Sequence, residues 1–317
     1  MPEKIFLGID TSNYTTSFSV CNYNGEILCN IKKLLPVKEG ENGLRQSDAV
    51  FSHIKNIPLI NEQICDFFAF EKYEILSIGY SAYPRDVNDS YMPCFLVGES
   101  ISLILSSVNS IPIYKFSHQS GHIRSAIYSS AFTLKSDEFI AFHVSGGTTE
   151  ILNVKNTECD YKIDIIGGSS DLHAGQVIDR IGVKMGLLFP CGKEMESLAI
   201  KNEKSIPKHN VCVKDFYCNL SGLENLALCL YDKTGDKNLV CSFIFDFIGK
   251  TLEKITDNLR KKYSEKPIIY AGGVMSNAII KKRLQDKFDN VYFANPEFSS
   301  DNACGIALLT RDKYLNK

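Results

Sequence analysis

Apolar runs alternate along the chain with turns of small polar residues, and the spacing within each run predicts its element. Ile5 to Val20 reads as two short strands joined by Asp10-Thr11-Ser12-Asn13, a hairpin. Gln46 to Phe70 has helical spacing, with Ser47 as the expected cap and Pro58 expected to kink or divide it. Ile75 to Ala82 predicts a strand, Tyr83 to Pro93 an irregular polar stretch, Phe95 to Val108 a helix, and Ile111 to Phe116 a strand before a helix opening near Ser117. A second hairpin is predicted over Glu138 to Val154, where Ser145-Gly146-Gly147-Thr148-Thr149 joins two apolar runs.

Val177, Ile178, Ile181 and Met185 recur at helical spacing between Asp171 and Leu187. So do Val240, Phe243, Ile244, Phe247, Ile248, Ile255 and Leu259 between Asn238 and Tyr263. Pro267 to Ala271 is a buried strand running into Gly272-Gly273, followed by a helix from Asn277, a strand at Val291 to Phe293 and a last helix from Asp301. Each half opens with a strand-turn-strand, which predicts a duplicated α/β architecture of two similar lobes with a cleft between them. The lobes are placed at 1–117 and 118–317, with the chain crossing between them near its C-terminus.

Composition narrows the class. The 317 residues carry 35 Lys+Arg against 37 Asp+Glu, with 44% hydrophobic and 23% charged residues, a globular balance with no collective basic field. A nucleic-acid partner would be held by a local patch. Eleven cysteines, odd in number and without a C-x-x-C pair, argue against a disulfide framework or a zinc ribbon. No signal-peptide pattern and no apolar span of about 20 residues is present, so a cytoplasmic protein without a membrane is expected.

His118 and His122 stand at i and i+4, one helical turn apart, where both reach a single metal ion. Spacing alone leaves open two capping or surface histidines. Asp301 is a third donor, and a plain N-cap is its simpler reading. The turn Ser145, Gly146, Gly147, Thr148, Thr149 exposes amides and hydroxyls suited to phosphate, although most such turns bind nothing. Gly272 and Gly273, between a buried strand and a helix at Asn277, have a nucleotide-admitting layout without the dinucleotide fingerprint. Asp179 reads either as a ribose ligand or, more simply, as half of a surface ion pair. Arg260-Lys261-Lys262 and Lys281-Lys282-Arg283 read as solvated helix ends rather than an RNA surface. No ordered Ser/His/Asp set or H-E-x-x-H is present, which ranks a peptidase last.

Taken in order, these residues resemble the TsaD family of tRNA threonylcarbamoyladenosine transferases, formerly called sialoglycoprotein endopeptidases. The likeness rests on Gly8-Ile9-Asp10-Thr11-Ser12, His118-Gln-Ser-Gly-His122, Val144-Ser145-Gly146-Gly147, Ala174-Gly175 with Asp179, Pro190-Cys191-Gly192, Ser221-Gly222-Leu223, Ala271 to Asn277, and Ser300-Asp301-Asn302. It implies an actin-like, sugar-kinase and Hsc-type ATPase fold. It further implies one divalent metal, iron or zinc, on His118, His122 and Asp301, which serve as catalytic and metal residues. ATP, AMP or a threonylcarbamoyl adenylate is the implied ligand, lying against Ser145 to Thr149, Asp179, Gly192 and Asn277, with Asp10, Thr11, Ser12, Gly272 and Gly273 also in the nucleotide cleft. The implied acceptor is a tRNA adenosine, whose amine attacks the carbonyl and expels AMP. TsaB- or TsaE-like proteins or a second copy are the implied partners.

Several positions depart from the family pattern. Tyr14-Thr15 replaces an acidic pair, Thr148 a histidine, Asp171-Leu172-His173 the sequence D-D-A, Glu224 a lysine, and the stretch from Tyr83-Pro84-Arg85-Asp86 to Tyr91 a glycine-rich loop. Two further readings follow: a paralogue that binds adenylate and metal but serves another acceptor, and a non-catalytic nucleotide-binding subunit.

Overall fold

The computed structural model describes residues 2–12, 14–36, 44–132, 137–299 and 301–316. In chain order the elements are β1 (Glu3–Ser12), β2 (Thr15–Asn22), β3 (Ile27–Leu34), α1 (Gln46–Phe70), β4 (Tyr73–Tyr83), α2 (Phe95–Asn109), β5 (Ile113–Ser117), α3 (His118–Ser129), β6 (Glu138–Val144), β7 (Thr149–Asn156), β8 (Tyr161–Ser169), α4 (Ala174–Lys184), α5 (Gly192–Ile200), β9 (Cys212–Lys214), β10 (Tyr217–Asn219), α6 (Ser221–Thr234), α7 (Lys237–Lys262), β11 (Ile268–Ala271), α8 (Ala278–Lys287), β12 (Val291–Phe293), α9 (Pro296–Ser299) and α10 (Cys304–Leu315). They form two compact units. One comprises 1–129, 156–162 and 300–317, and the other 130–155 and 163–299.

The first unit is built on a sheet of order β3-β2-β1-β4-β5. Strand β1 shows why it sits at the centre. Ile5, Leu7 and Ile9 face one side and pack with Ile60 of α1 and with Ile101 and Leu105 of α2, while Phe6 faces the other side and packs with Ala307 and Leu308 of α10. Period two thus buries both faces of one strand. Gly8 lets α10 lie directly on β1, because a Cβ there would stand 2.5 Å from the Ala307 nitrogen.

The second unit carries a sheet of order β12-β11-β6-β7-β8-β10-β9. Its core gathers Phe142, Ile151, Val177, Ile181 and Tyr270 with the buried face of α7, from Val240 to Leu259. The buried Tyr270 ring stacks between Phe142 and Phe293, with its hydroxyl 2.6 Å from Thr256 Oγ1. Such a polar tip needs a partner once dry.

The strand order β8-β7-β6-β11-β12 repeats β3-β2-β1-β4-β5. Both begin with an antiparallel hairpin, β1 with β2 and β6 with β7, and both continue with parallel neighbours. Three local expectations change. Helix α1 starts after Arg45 with no side-chain cap, so Ser47 lies inside it. It also runs unbroken through Pro58, because the carbonyl left without a donor belongs to exposed Ile54, where water can satisfy it. The basic clusters work inside the fold. Arg260 donates to the carbonyls of Lys266, Asp289 and Asn290, and Arg283 pairs with Asp246 and Glu253. All eleven cysteines are free thiols, and no described helix is long and apolar enough to cross a membrane.

Candidate metal centre and nucleotide rim

Strand β5 turns directly into α3. Ser117 caps the helix, its Oγ accepting from the Ser120 amide at 3.0 Å, and this fixes the first turn that carries His118. His122 follows one turn on, so both rings leave the same face. Asp301 arrives from the approach to α10. Gly121 and Gly305 let α3 and α10 cross closely, since a Cβ on Gly305 would overlap the Gly121 carbonyl. Asn302, not Asp301, serves the turn before α10, its Oδ1 accepting from the Cys304 amide at 3.0 Å and from Ser125 Oγ at 3.1 Å. The N-cap reading of Asp301 is thereby corrected.

The His118 and His122 Nε2 atoms are 2.9 Å apart. Asp301 Oδ1 lies 3.2 Å from the Nε2 of His122 and 3.8 Å from that of His118. One donor atom from each of the three residues falls within 4.8 Å of the others. Two nitrogens bound cis at about 2.05 Å would themselves be about 2.9 Å apart, so the donor set fits a small divalent ion. Two imidazoles and one carboxylate suit iron or zinc, with coordination positions left for substrate.

Asp10, at the end of β1 and 1% exposed, completes the arrangement. Its Oδ1 accepts the Ser12 amide at 2.7 Å, and its Oδ2 stands 2.6 Å from His118 Nδ1. The carboxylate accepts the Nδ1 proton in a hydrogen bond and fixes the ring with Nε2 facing His122 and Asp301, the support that a metal-binding histidine would need. Burial opposes charging of His118, but the Asp10 charge and hydrogen bond and the Asp301 charge outweigh it and raise the ring to about 9. A metal taking Nε2 at neutral pH would therefore displace a proton. This supporting role of Asp10 had no signal in the sequence, because 108 positions separate it from His118. Thr11 is engaged with α2, donating to the Cys94 carbonyl at 2.9 Å and accepting from the Gly98 amide at 3.0 Å. Ser12 Oγ is buried without a partner.

The remaining candidate residues lie in the second unit, where direct contacts link them in a circuit. Ser145 closes its own turn on the Thr148 carbonyl at 2.7 Å and accepts the Gly175 amide at 3.1 Å, and Thr149 Oγ1 accepts the Ala174 amide at 2.9 Å. Gly175 must lack a side chain, since a Cβ would stand 2.7 Å from Gly146. One turn along α4, Asp179 Oδ1 accepts the Cys191 amide at 2.8 Å. The ion-pair reading of Asp179 is corrected, because neighbouring Arg180 pairs with Glu224 at 3.4 Å. Burial raises the Asp179 carboxyl against the lowering by that amide.

Gly192 opens α5, and Glu196 one turn later accepts the Ala278 amide at 2.6 Å. Asn277 caps α8 with Oδ1 on the Ile280 amide at 3.0 Å, while its Nδ2, on a residue 6% exposed, has no partner. Gly272, at φ +99, closes the circuit against the Val144 carbonyl, an approach open only to glycine. Cβ atoms built on Gly146, Gly147, Gly192 and Gly273 would meet nothing within 4 Å, so the backbone there is open to a ligand. Glu196 was missed by sequence reasoning, and Cys191 entered it only as a motif residue, because their contacts join separate helices.

The repeated sheet order is that of the sugar-kinase and actin-like ATPase fold. The (R)-2-hydroxyglutaryl-CoA dehydratase component A of Acidaminococcus fermentans superposes with TM-score 0.58 at 15% identity, covering 98% of this chain and 99% of that one. A ROK family glucokinase from Streptomyces griseus superposes with TM-score 0.52 at 13% identity, covering 97% and 99%. The family model of TsaD, tRNA N6-adenosine threonylcarbamoyltransferase, matches residues 39–308. The chain belongs to the TsaD family. It is 26% identical to the tRNA N6-adenosine threonylcarbamoyltransferase of Metamycoplasma arthritidis over 319 residues, 98% of each protein.

Proposed function

We propose that the protein is a metal-dependent tRNA N6-adenosine threonylcarbamoyltransferase whose donor is an acyl adenylate. The observation that carries the reading is the Asp10–His118 bond, which orients one imidazole toward His122 and Asp301. His118, His122 and Asp301 would hold the ion. A divalent cation there supplies Lewis-acid charge that offsets the negative charge of an acyl phosphate as it departs. Asp10 keeps His118 in the ligating tautomer.

In the second unit the open Gly146-Gly147 backbone of the Ser145 to Thr149 turn would face phosphate oxygens, and Asp179, Gly192 and Asn277 would hold the nucleoside. The unpartnered Asn277 Nδ2 supports this placement, because a buried donor without an acceptor costs about 1–3 kcal/mol until a ligand supplies one. In the reaction the adenosine N6 forms the new C–N bond and loses a proton. The acyl C–O bond breaks, and AMP leaves with the electron pair.

A different acceptor is the second reading, favoured by exposed Tyr14 and by Glu224, which stands in place of the family's lysine and pairs with Arg180 and Lys184. A TsaB- or TsaE-like partner, or a second copy, would meet exposed apolar side chains on α2 at Leu96, Leu103, Ile104 and Val108. The test is incubation of metal-loaded protein with its partners, threonylcarbamoyl adenylate and unmodified tRNA. Modified adenosine by mass spectrometry, lost in His122→Ala together with bound metal, is the expected result. Adenylate binding without tRNA product moves the assignment to the second reading.

A further inference from the structure

Helices α3 and α10 are joined at several points, and the bond between Ser125 and Asn302 grips the residue beside Asp301. Ser125 Oγ donates to Asn302 Oδ1 at 3.1 Å. Further along α10, Arg124 Nε donates to Asp312 Oδ2 at 2.9 Å, and the other carboxylate oxygen accepts from Arg311 Nη1 at 2.8 Å. The first bond sits at the start of α10, while the second braces its far half.

Ser125 continues the face of α3 that carries the two histidines, seven residues after His118 and three after His122. Both ends of its bond are dry, with Ser125 0% and Asn302 4% exposed. Asn302 Oδ1 also accepts the Cys304 amide at 3.0 Å, so one oxygen starts α10 and ties that start to the histidine face. Asp301 stands one residue earlier, outside the helix. Consecutive Cα atoms lie about 3.8 Å apart across a rigid trans peptide, so fixing Asn302 leaves Asp301 little travel.

We propose that Ser125 is a positioning residue of the metal centre, which through Asn302 sets where the Asp301 carboxylate meets His118 and His122. The inference rests on the metal reading of those three side chains. Asp301 Oδ1 stands 3.2 Å from one Nε2 and 3.8 Å from the other, and a displacement of about 0.5 Å is enough to spoil such a donor set. The hydroxyl is separable from the fold. Without it Asn302 Oδ1 keeps the Cys304 amide, so no buried acceptor is left unpaired.

Cobalt(II) is the probe, because its visible absorption reports coordination number and ligand set. Wild type, Ser125→Ala and Asp312→Asn are loaded with it and titrated against a chelator, and the denaturation midpoint of each metal-free protein is measured alongside. Ser125→Ala is expected to raise the cobalt dissociation constant about tenfold and to change the absorption, with a midpoint near that of the wild type. Asp312→Asn is expected to lower the midpoint and keep the wild-type absorption. Should Ser125→Ala not fold, Ser125→Cys, near in size and only a weak donor, replaces it with the same expectations.

The role is overturned if the serine variant binds cobalt(II) with wild-type affinity and absorption. It is equally overturned if Asp312→Asn changes the absorption as much, which reduces the Ser125 bond to general bracing of two helices. Wild-type protein that takes up neither cobalt(II) nor zinc(II) defeats the metal reading itself. Metal-free crystals of the wild type and the serine variant then decide the positioning: an Asp301 that leaves His122 only in the variant upholds it, and one that stays in both refutes it.

Discussion

The two hairpin turns, at the end of β1 and at the end of β6, have the same topological place and opposite chemistry. In the first, Asp10, Thr11 and Ser12 are buried, and Asp10 and Thr11 spend their side chains on α3 and α2. In the second, Gly146 and Gly147 are exposed with empty space where side chains would be. One duplicated motif has become a support for the His118 imidazole in one unit and an exposed glycine pair in the other. Side-chain donors offer a fixed geometry for a cation, whereas bare backbone offers several weaker donors for phosphate oxygens.

The contrast is broken most severely where the first unit is tightest. Gly305→Ala forces α10 away from α3 and is expected to cost about 3 kcal/mol of stability in denaturant titration, with bound metal lost alongside. Asp10→Asn is the next largest change. It removes the charged acceptor behind His118, and metal affinity should fall about 10–100-fold in competition with a chelator while the fold persists. An unchanged affinity would show that His118 needs no such support.

Below the first turn, His53 is buried with Nδ1 2.8 Å from Thr16 Oγ1, and burial lowers its pKa from the usual value. The unfolded chain therefore takes up the proton more readily than the fold. His53's contribution is full above about pH 6.5 and is lost as pH falls through the lower folded value, by at most about 1.4 kcal/mol per pH unit. Denaturation of the wild type and His53→Gln at pH 7.5 and 5.0 should show the steeper loss in the wild type. The smallest expected effect lies in the second turn. Gly147→Ala meets open space, so stability should hold or rise by about 0.5 kcal/mol while AMP affinity falls severalfold in calorimetry. A large loss of stability there would mean that the two turns are equally closed.

Much of the architecture was readable as pattern. The buried positions of α7 from Val240 to Leu259 and the strands flanking both turns follow from local periodicity, which depends only on near neighbours in the chain. Side-chain roles at element ends were less legible. Ser47 was expected to cap α1 but lies inside it, and the simpler local alternatives weighed for Asp301 and Asp179, a cap and an ion pair, give way because Asn302 serves the turn before α10 and a distant amide claims the Asp179 carboxylate.

From the sequence alone came the order of elements, the i and i+4 histidines and the glycine turns, all set by the chain's own geometry over a few residues. The tertiary structure decided that Asp10 reaches His118, that Gly121 and Gly305 bring Asp301 beside the two imidazoles, and that Asp179 and Glu196 grip the starts of α5 and α8. Those contacts join residues far apart in the chain, and their geometry is fixed by close packing of whole elements rather than by any local preference.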